Sequence, residues 1–407
     1  MKRIIVTGAQ FGNKGAQSLL FCFVSSIRER FPDCEILYFP LDINFPYEKE
    51  SLKIRVVRNT GLSHQYENGG SKKIYAICKC LINGFVGKKG LTFSEMTELS
   101  SCLKKADIMV DLSGYNLGSK WPIGTNKNFL RYFSEAKKHN IPVVLFPQSF
   151  GPFDYGDQQD EMDSLISSVL SGVNMIYARE SEGYELLTTK YELHNVKVAS
   201  DFVMQSDFPK WDRIFCSEPT IGFKDLKKQN MVGVIPNYQN FIHGNHEEVL
   251  CLYTSLINEL IAVGKNVVIF RHSEDLDVCR EIYNEFLDTR EVELYEYDFS
   301  SFEYSEFIKG FDFLIAARYH SVVHAYKAGI PAIVLGWAVK YKELTRLCGQ
   351  EKYLISTNES VGTDKIKDVL ALMNENYKSE RVVIRERVSA LKNSECIETV
   401  VDLLSTK

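Results

Sequence analysis

Short apolar segments alternate with longer amphipathic segments along most of the chain. The short segments are rich in β-branched residues and predict strands, whereas the longer ones carry apolar residues at i, i+3 and i+4 and predict helices. In the first half, strands are predicted at residues 2–8, 35–39, 53–58, 107–112, 142–147, 174–178 and 196–199, with helices at 15–30, 127–139, 157–170 and 181–190. This alternation is typical of an α/β unit.

The predicted strands are apolar at successive positions rather than at alternate ones. Residues 108–110 (IMV) and 143–146 (VVLF) show this pattern. Such strands are buried on both faces, as in a parallel sheet covered by helices. We therefore expect a Rossmann-like, doubly wound sheet in the first half of the chain.

The alternation breaks in a polar stretch with several prolines and then starts again. After the break, strands are predicted at 231–236, 267–270, 292–297, 313–317 and 332–335, with helices at 246–263, 275–287, 302–311, 320–328 and 341–347. An amphipathic helical pattern then covers residues 363–404. The predicted organisation is a domain at 1–205, a linker at 206–229, a second domain at 230–375 and a helical tail at 376–407 that packs back on the first domain. The predicted fold class is α/β, with two Rossmann-like doubly wound domains facing a central cleft in a GT-B-like arrangement.

Composition excludes several classes of protein. The chain has 407 residues, 48 Lys+Arg against 53 Asp+Glu and a net charge of −5, with 45% hydrophobic residues. These values are those of a globular protein, and the mild acidity argues against broad nucleic-acid binding. No apolar run approaches the ~20 residues that cross a bilayer, and the first strand is too short for a signal-peptide core. The ten cysteines include no C-x-x-C pair, so we expect reduced cysteines and a cytoplasmic protein.

Polar residues follow three predicted strands of the first half. The first strand ends in a glycine-rich turn, GAQFGNKGAQ (residues 8–17), in which Asn13 is the leading candidate to contact a ligand. The next two ends are DLSGYNLG (111–118), with Asp111 and Asn116, and PQSFGP (147–152), with Gln148. Turn formation alone would also explain each motif, but strand ends of a parallel sheet converge on one cleft. The spacing fits neither a dinucleotide fingerprint nor a P-loop.

The segment DFLIAARYHS (residues 312–321) has the strongest chemical signal in the second half. An apolar strand ends at Arg318 and His320, and a helix begins with Ser321 in its first turn. Arginine binds carboxylate or phosphate with a planar fork, the helix start adds free amides, and histidine transfers protons near neutral pH. The structural alternative is a surface ion pair for Arg318 and a helix cap for His320.

Two other strand ends of the second half add positive charge. VVIFRHSED (267–275) repeats the arrangement with Arg271 and His272, and Lys340 follows the strand at 332–335. The spacing of His320 and His324 resembles a zinc motif, but the glutamate and a third ligand are missing. We therefore expect an anion pocket and no metal.

The ordered set of motifs resembles the polysaccharide pyruvyl transferase family. The points of resemblance are GNKG (12–15), the Asp111 strand with its glycine loop, PQSFGP, YARES (177–181), Asp201, His272 with Asp275, the R-x-H of residues 318–320, AGIP (328–331) and Lys340. They span residues 1 to about 350. This chain departs from the family pattern at Ser113, where a glycine is common, and at Glu180, where an aspartate is common.

The resemblance implies a GT-B-like fold, no cofactor, and phosphoenolpyruvate as the donor of a ketal-linked pyruvate. Arg318 and His320 match the donor-site R-x-H of the family. As a hypothesis, His320 is a catalytic acid or phosphate partner, and Asp111 is the carboxylate that activates the acceptor hydroxyl. The remaining expected site residues are, on the donor side, Arg318, Lys340, Arg271, His272 and Ser321, and on the acceptor side Asn13, Gln148, Asn116 and Arg179.

Several readings stay open at this point. A GT-B nucleotide-sugar glycosyltransferase shares the architecture and is the chief alternative; a two-lobed binding protein and a scaffold for capsule assembly are others. The expected partners are phosphoenolpyruvate and a sugar acceptor of unknown identity, with a lipid-linked acceptor as one alternative. Such an acceptor would bring the protein to the inner face of the cytoplasmic membrane, where Phe150, Phe153 and Tyr155 would contact it.

Overall fold

The computed structural model describes residues 1–40, 51–59, 91–224, 226, 228–336, 338–357 and 362–406. Two parallel sheets dominate it, one in residues 3–198 and the other in residues 231–356. We call each sheet with its flanking helices a lobe. The α/β class and the doubly wound character predicted from the sequence are confirmed, whereas the exact domain and linker boundaries stay a prediction.

Among the described residues, the first sheet has seven strands in the order β3-β2-β1-β4-β5-β6-β7. The strands are β1 (Arg3–Thr7), β2 (Glu35–Tyr38), β3 (Arg55–Val56), β4 (Ile108–Asp111), β5 (Val143–Gln148), β6 (Met175–Ala178) and β7 (Val196–Val198). The helices are α1 (Lys14–Arg30), α2 (Phe93–Lys105), α3 (Ile123–Lys138), α4 (Gln159–Leu170), α5 (Ser181–Glu185), which continues as a π-turn (Leu186–Lys190), and α6 (Phe202–Gln205). The pattern does not predict α2, because few of its residues are buried, but Thr92 and Glu95 form a capping box at its start.

The second sheet has six strands in the order β10-β9-β8-β11-β12-β13. The strands are β8 (Met231–Ile235), β9 (Asn266–Phe270), β10 (Val292–Tyr295), β11 (Phe313–Ala316), β12 (Ala332–Gly336) and β13 (Leu354–Ser356). The helices are α7 (Tyr238–His243), α8 (His246–Ala262), α9 (Leu276–Asn284), α10 (Ser301–Phe307), α11 (Tyr319–Lys327), α12 (Val339–Leu347), α13 (Thr363–Leu391) and α14 (Glu395–Ser405). Single 3-10 turns cover Gly156–Gln158, Trp211–Arg213, Ile308–Gly310 and Glu351–Tyr353. Three of these elements, α7, β13 and the break between α13 and α14, are not predicted by the pattern.

The two C-terminal helices, α13 and α14, connect the lobes. Near its start α13 buries Ile366 and Met373 in the core of the second lobe, and near its end Ile384 joins the cluster shared with the first lobe. α14 then packs on the first lobe, where Thr399 hydrogen-bonds the hydroxyl of Tyr177 at 2.7 Å. Apolar packing between the lobes includes Phe21 of α1 against Phe302 of α10.

Each sheet reverses its strand order at one point. In the first sheet the reversal lies between β1 and β4, and in the second between β8 and β11. In open parallel sheets, ligands bind outside the carboxyl ends of the strands at these switch points. Asn13 lies in the turn after β1, and Asp111 is the last residue of β4. Arg318 and His320 follow the carboxyl end of β11. Both switch points therefore bear candidate chemistry.

Two further observations concern the class of protein. Within the described part of the chain, no helix combines the length and apolarity needed to span a membrane. The eight cysteines in that part are all free. Cys78 and Cys80 lie outside the described residues.

Candidate functional site

The starts of α1 and α11 lie against each other between the lobes. Asn13 caps α1, and its side-chain oxygen accepts hydrogen bonds from the N–H groups of Gly15 at 2.9 Å and Ala16 at 3.3 Å. A β-carbon on Gly15 would lie 2.2 Å from Cγ and Nδ1 of His320. Glycine at position 15 therefore leaves room for the imidazole, which lies on the backbone of the opposite lobe.

Asp111 is enclosed by neutral hydrogen-bond donors. Its Oδ2 accepts from the hydroxyls of Thr7 at 2.8 Å and Ser113 at 2.9 Å, and its Oδ1 accepts from the Ser113 N–H at 3.1 Å and Gln148 Nε2 at 3.2 Å. Burial raises the pKa of Asp111, and these four hydrogen bonds lower it by less. Asp111 is therefore a carboxyl group that accepts a proton more readily than an exposed aspartate.

The predicted acceptor-side residues Asn116 and Gln148 join the same network. Asn116 Nδ2 donates to the Ser113 hydroxyl at 3.2 Å. Gln148 is fully buried, and its Oε1 has no hydrogen-bond partner among the residues that the structure describes. Asn13, by contrast, uses its oxygen to cap α1. The structure thus brings Asp111, Asn116 and Gln148 together and gives Asn13 a capping role.

Arg179 is buried at the end of β6 and bound on all three nitrogens. Nε donates to Glu180 at 2.8 Å, Nη1 to Asp201 at 3.0 Å and Nη2 to the Ser149 hydroxyl at 2.6 Å. Its guanidinium carbon lies 4.3 Å from the ring centre of Tyr319, which belongs to the second lobe. Arg179 therefore stabilises the contact between the lobes, and its charge is matched by two carboxylates.

His320 faces one of those carboxylates. Its Nε2 lies 3.5 Å from Oδ2 of Asp201, the residue that precedes α6 in the first lobe. Burial alone would raise the pKa of Asp201, but the facing His320 and the charge of Arg179 lower that pKa well below its usual range. Asp201 is therefore an anion beside the imidazole at any physiological pH.

Arg318 is paired within its own lobe. Nε donates to Asp275 Oδ2 at 2.8 Å and Nη2 to Oδ1 at 2.5 Å, and Asp275 is 1% exposed. This two-point contact leaves Nη1 as the arm that Asp275 does not bind. Ser321 is fully buried, and its hydroxyl donates to the Arg318 carbonyl at 2.6 Å. Part of the donor group expected from the sequence is thus engaged in internal contacts.

Arg271 and Lys14 come from different lobes and share one carboxylate. Asp298 lies 3.5 Å from Arg271 Nη2 and 2.6 Å from Lys14 Nζ. Lys14 is the first residue of α1, so this cluster adjoins the helix start that contacts His320. Two cations that share one partner leave positive charge at this end of the cleft.

His272 is a buried, neutral histidine. Its Nδ1 lies 3.1 Å from the Ser273 hydroxyl, and its Nε2 has no partner among the described residues. Burial, followed by the charges of His324 and His320, lowers the pKa of His272 well below its usual value. It can therefore accept a hydrogen bond at Nε2 but supplies no charge.

Lys340 lies beside the ring of Tyr319 where the two lobes meet. Its Nζ is 5.5 Å from the Tyr319 ring centre, and it lines a small interlobe cavity with Arg179, Glu180 and Asp201. Burial and then the charge of Arg179 lower the pKa of Lys340 to about 8. Lys340 is therefore charged at neutral pH and loses its charge in mild alkali.

His324, one turn beyond His320, is a packed histidine. Its ring nitrogens lie 2.8 Å from the Ser18 hydroxyl and 3.0 Å from that of Ser305. Burial lowers the pKa of His324 to about 3. In the described part of the chain, no group of three or more histidine, cysteine, aspartate or glutamate residues is arranged to bind a metal ion.

A larger cavity of about 420 Å³ is lined by residues of both lobes. Phe208, Trp211, Phe302 and Lys327 are among its walls, which are mainly apolar. Ser18 and His324 also line it, whereas His320 does not. The polar groups of the strand ends do not line it, so we place the functional site at the two switch points.

The sequence does not predict the residues that bind Arg179, Arg318 and His320. These residues are Asp201, Asp275, Glu180 and Ser149, which the sequence offers only as points of family resemblance or departure or as part of a motif. Asp201 follows a predicted strand of the first sheet, as Asp111 does, so the rule that selected Asp111 would also have selected it. Asp275 ends the VVIFRHSED motif after β9, but only the tertiary structure places it beside Arg318, which follows β11.

Comparison with protein families decides the affiliation of the chain. The model of the family described as polysaccharide pyruvyl transferase matches residues 13–338. The chain belongs to the polysaccharide pyruvyl transferase family. The match begins at Asn13 and includes Asp111, Asp201 and His320, with Lys340 just beyond its end. The family resemblance inferred from the motifs is confirmed. No curated protein matches this pyruvyl transferase family member.

Solved structures show the same fold at low identity. Similar chains are UDP-GlcNAc 2-epimerase from Methanocaldococcus jannaschii, with a TM-score of 0.58 and 14% identity, and the Neisseria meningitidis epimerase bound to UDP-GlcNAc, with 0.58 and 12%. UGT2 of Phytolacca americana, in complex with UDP-2-fluoro-glucose and pterostilbene, has a TM-score of 0.55 at 12% identity. Each comparison covers 100% of both chains. They confirm the GT-B-like arrangement of two Rossmann-like domains.

Proposed function

We propose that this pyruvyl transferase family member moves pyruvate from phosphoenolpyruvate to two hydroxyls of one sugar in a polysaccharide or its lipid-linked precursor. The product is a pyruvate ketal, and inorganic phosphate is released. The reaction takes place in the cytoplasm. Family membership supports the class of reaction. The observation that carries the donor assignment is the position of His320 between the two switch points, close to cations that carboxylates neutralise only in part.

Phosphoenolpyruvate carries a phosphate and a carboxylate, so its pocket needs several cationic or N–H donors. Lys340 is charged at neutral pH, and Arg318 has one guanidinium arm outside its pair with Asp275. Arg271 and Lys14 share a single carboxylate. The start of α11 adds its dipole at the same edge. These groups support a doubly anionic donor better than a neutral one.

The proposed chemistry requires two proton movements. His320 protonates the methylene carbon of the donor, and a sugar hydroxyl attacks the adjacent carbon. The bond from that carbon to the phosphate oxygen breaks, phosphate leaves, and the second hydroxyl adds to the same carbon. Of the two hydroxyl protons released, one restores His320 and the other leaves with phosphate. Asp111 acts as the base for a hydroxyl, since its raised pKa favours accepting a proton.

On the acceptor side, Asn116 and Gln148 adjoin Asp111 in one network, and Arg179 lies where the two lobes meet. The unpaired Oε1 of the buried Gln148 is an acceptor for a sugar hydroxyl. Asn13 contributes by capping α1 beside His320. These contacts support an acceptor bound mainly by the first lobe.

A direct assay tests the proposal. The protein is incubated with phosphoenolpyruvate and with galactose-, mannose- or glucose-terminated acceptors, and mass and free phosphate are followed. We expect a mass gain of one pyruvate less one water for each phosphate released. Phosphate release without a change in acceptor mass would contradict ketal formation.

Thermal melting separates this function from transfer of a nucleotide-activated sugar. Phosphoenolpyruvate should raise the melting temperature, and UDP- or CMP-sugars should leave it unchanged. Stabilisation by a nucleotide sugar alone would favour the glycosyltransferase reading instead.

A further inference from the structure

The carboxylate that His320 faces belongs to the other lobe. Asp201 is 2% exposed and accepts a hydrogen bond at Oδ1 from the Val203 N–H at 2.9 Å, which caps α6. Its Oδ2 is bound by Arg179 and lies 3.5 Å from His320 Nε2. The residue is thus fixed on three sides by its own lobe and the histidine.

The imidazole of His320 is held on two edges. The Cγ–Nδ1 edge lies against Gly15, where no β-carbon could be accommodated, and Nε2 faces Asp201. Nε2 has no conventional hydrogen bond to a described residue, because 3.5 Å is the distance of an ion pair rather than of a good hydrogen bond. A small movement of the lobes toward each other would shorten this contact.

The other groups near His320 leave Asp201 as its main electrostatic partner. His272 and His324 are neutral because burial lowers the pKa of both. Arg179 is positive but is already paired with Glu180 and Asp201. Lys14 is paired with Asp298.

We propose that Asp201 is a positioning residue for His320, holding the Nε2 edge across the interlobe contact so that the imidazole keeps the orientation in which it transfers the proton. This inference rests on the proposed function for the identity of the proton transfer. It adds that the acid is assembled from both lobes: the second lobe supplies the imidazole, and the first supplies its orientation and its counter-charge. The site is then complete only when the lobes are closed.

Asp201→Asn is the first test. Asparagine keeps the oxygen that caps α6, so the fold should survive, but it removes the negative charge. We expect kcat to fall about 10–100-fold with little change in KM for phosphoenolpyruvate. The alkaline limb of the kcat profile should move to lower pH, because the charge that stabilises the imidazolium is gone. A structural defect would lower the active fraction without moving that limb, so an unchanged limb would overturn the proposal.

Gly15→Ala tests the same ring from its other edge. The new β-carbon would displace the imidazole from Asp201, so kcat should fall as in Asp201→Asn. Gly124→Ala is the matched control, since Gly124 is likewise the second residue of a helix and its β-carbon would meet nothing within 4 Å. The double variant with Asp201→Asn should lose less than the product of the two single losses, because both changes displace one ring. Independent, multiplicative losses would contradict a shared cause.

A measurement without substrate separates this inference from the proposed function. Imidazole ¹⁵N resonances are recorded at one pH, with His320 assigned from the signal missing in His320→Gln. The Nε2 resonance of His320 should shift in Asp201→Asn, because a neutral amide replaces the carboxylate that Nε2 faces, and should keep its position in Gly124→Ala. If the resonance moves but phosphoenolpyruvate is not a substrate, the pairing stands and the proposed function fails. If transfer occurs but the resonance does not move, the pairing fails alone.

Discussion

Asp111 and Asp201 are both buried at the carboxyl edge of the first sheet, yet their surroundings are opposite. Asp111 is bound by hydroxyl, amide and backbone donors, all of them neutral. Asp201 is bound by Arg179 and faces His320. Burial raises the pKa of Asp111, whereas the cations around Asp201 outweigh burial and lower its pKa. Equal burial therefore produces one carboxyl poised to take a proton and one held as an anion.

The contrast assigns different work to the two residues. A carboxyl that exchanges a proton suits a general base, and a fixed anion suits the orientation of a nearby cation. It also shows why a carboxylate at a strand end is not by itself informative. The partners, which come from other elements, decide its charge.

The largest expected effect belongs to His320. His320→Ala should lower kcat about 10²–10⁴-fold, because proton transfer to carbon loses its acid. In the His320→Ala background, Asp201→Asn should cause no further loss of turnover, whereas Asp111→Asn should lower turnover further. The amount of ketal product after long incubation, read by mass, measures the turnover of both double variants. Near wild-type turnover of His320→Ala would remove the histidine from the mechanism.

The second largest effect is the loss of unfolding free energy when either carboxylate is replaced by alanine, and the loss should be larger for Asp201 than for Asp111. Asp201→Ala leaves Arg179 with one carboxylate fewer in a buried site and should cost about 3 kcal/mol. Asp111→Ala removes an acceptor from neutral donors and should cost about 1–3 kcal/mol. Urea unfolding of both variants under the same conditions tests the order. A greater loss in Asp111→Ala would show that the hydrogen bonds of Asp111 outweigh the ion pair of Asp201.

Lys340 extends the contrast to a cation. It is charged at pH 7 and loses its charge as the pH rises through its pKa of about 8, so KM for phosphoenolpyruvate should increase in that range. Lys340→Ala should raise KM about tenfold at neutral pH. Lys340→Arg serves as the control that retains its charge and should flatten the increase above pH 8. A KM that rises equally in the wild type and in Lys340→Arg would assign the pH dependence to another group.

The smallest effect is the pH dependence of stability. The folded-state pKa of Asp201 is lowered, so its stabilising contribution is complete above the unfolded value of ~3.9 and is lost only in stronger acid. The folded-state pKa of Asp111 is raised, so its ionised form costs stability near neutrality, and this cost is relieved as the pH falls through the folded pKa. The difference in the free energy of unfolding between wild type and Asp201→Asn should therefore stay constant down to about pH 4. The same difference between wild type and Asp111→Asn should already change at pH values above 4. Guanidinium unfolding at several pH values measures both differences, and parallel behaviour would refute the contrast.

Local patterns were sufficient for most of the architecture. Continuous apolar runs such as residues 143–146 identify buried parallel strands, and each half of the chain contains one parallel sheet. Short or weakly amphipathic elements, α2, α7 and β13 among them, escape the same reasoning because their burial depends on neighbours far along the chain.

For the site, the sequence by itself determined which chemistry lies at the strand ends: Asp111, Arg318 and His320 lie at the ends of apolar strands, and strand direction places each at the carboxyl edge of its own sheet. Only the tertiary structure decided which of these groups are already paired. Arg318 meets Asp275 within its lobe, and His320 meets Asp201 across the gap. A pairing between residues so far apart depends on the packing of helices and on the closure of two lobes, and no local pattern of apolar and polar residues encodes that distance.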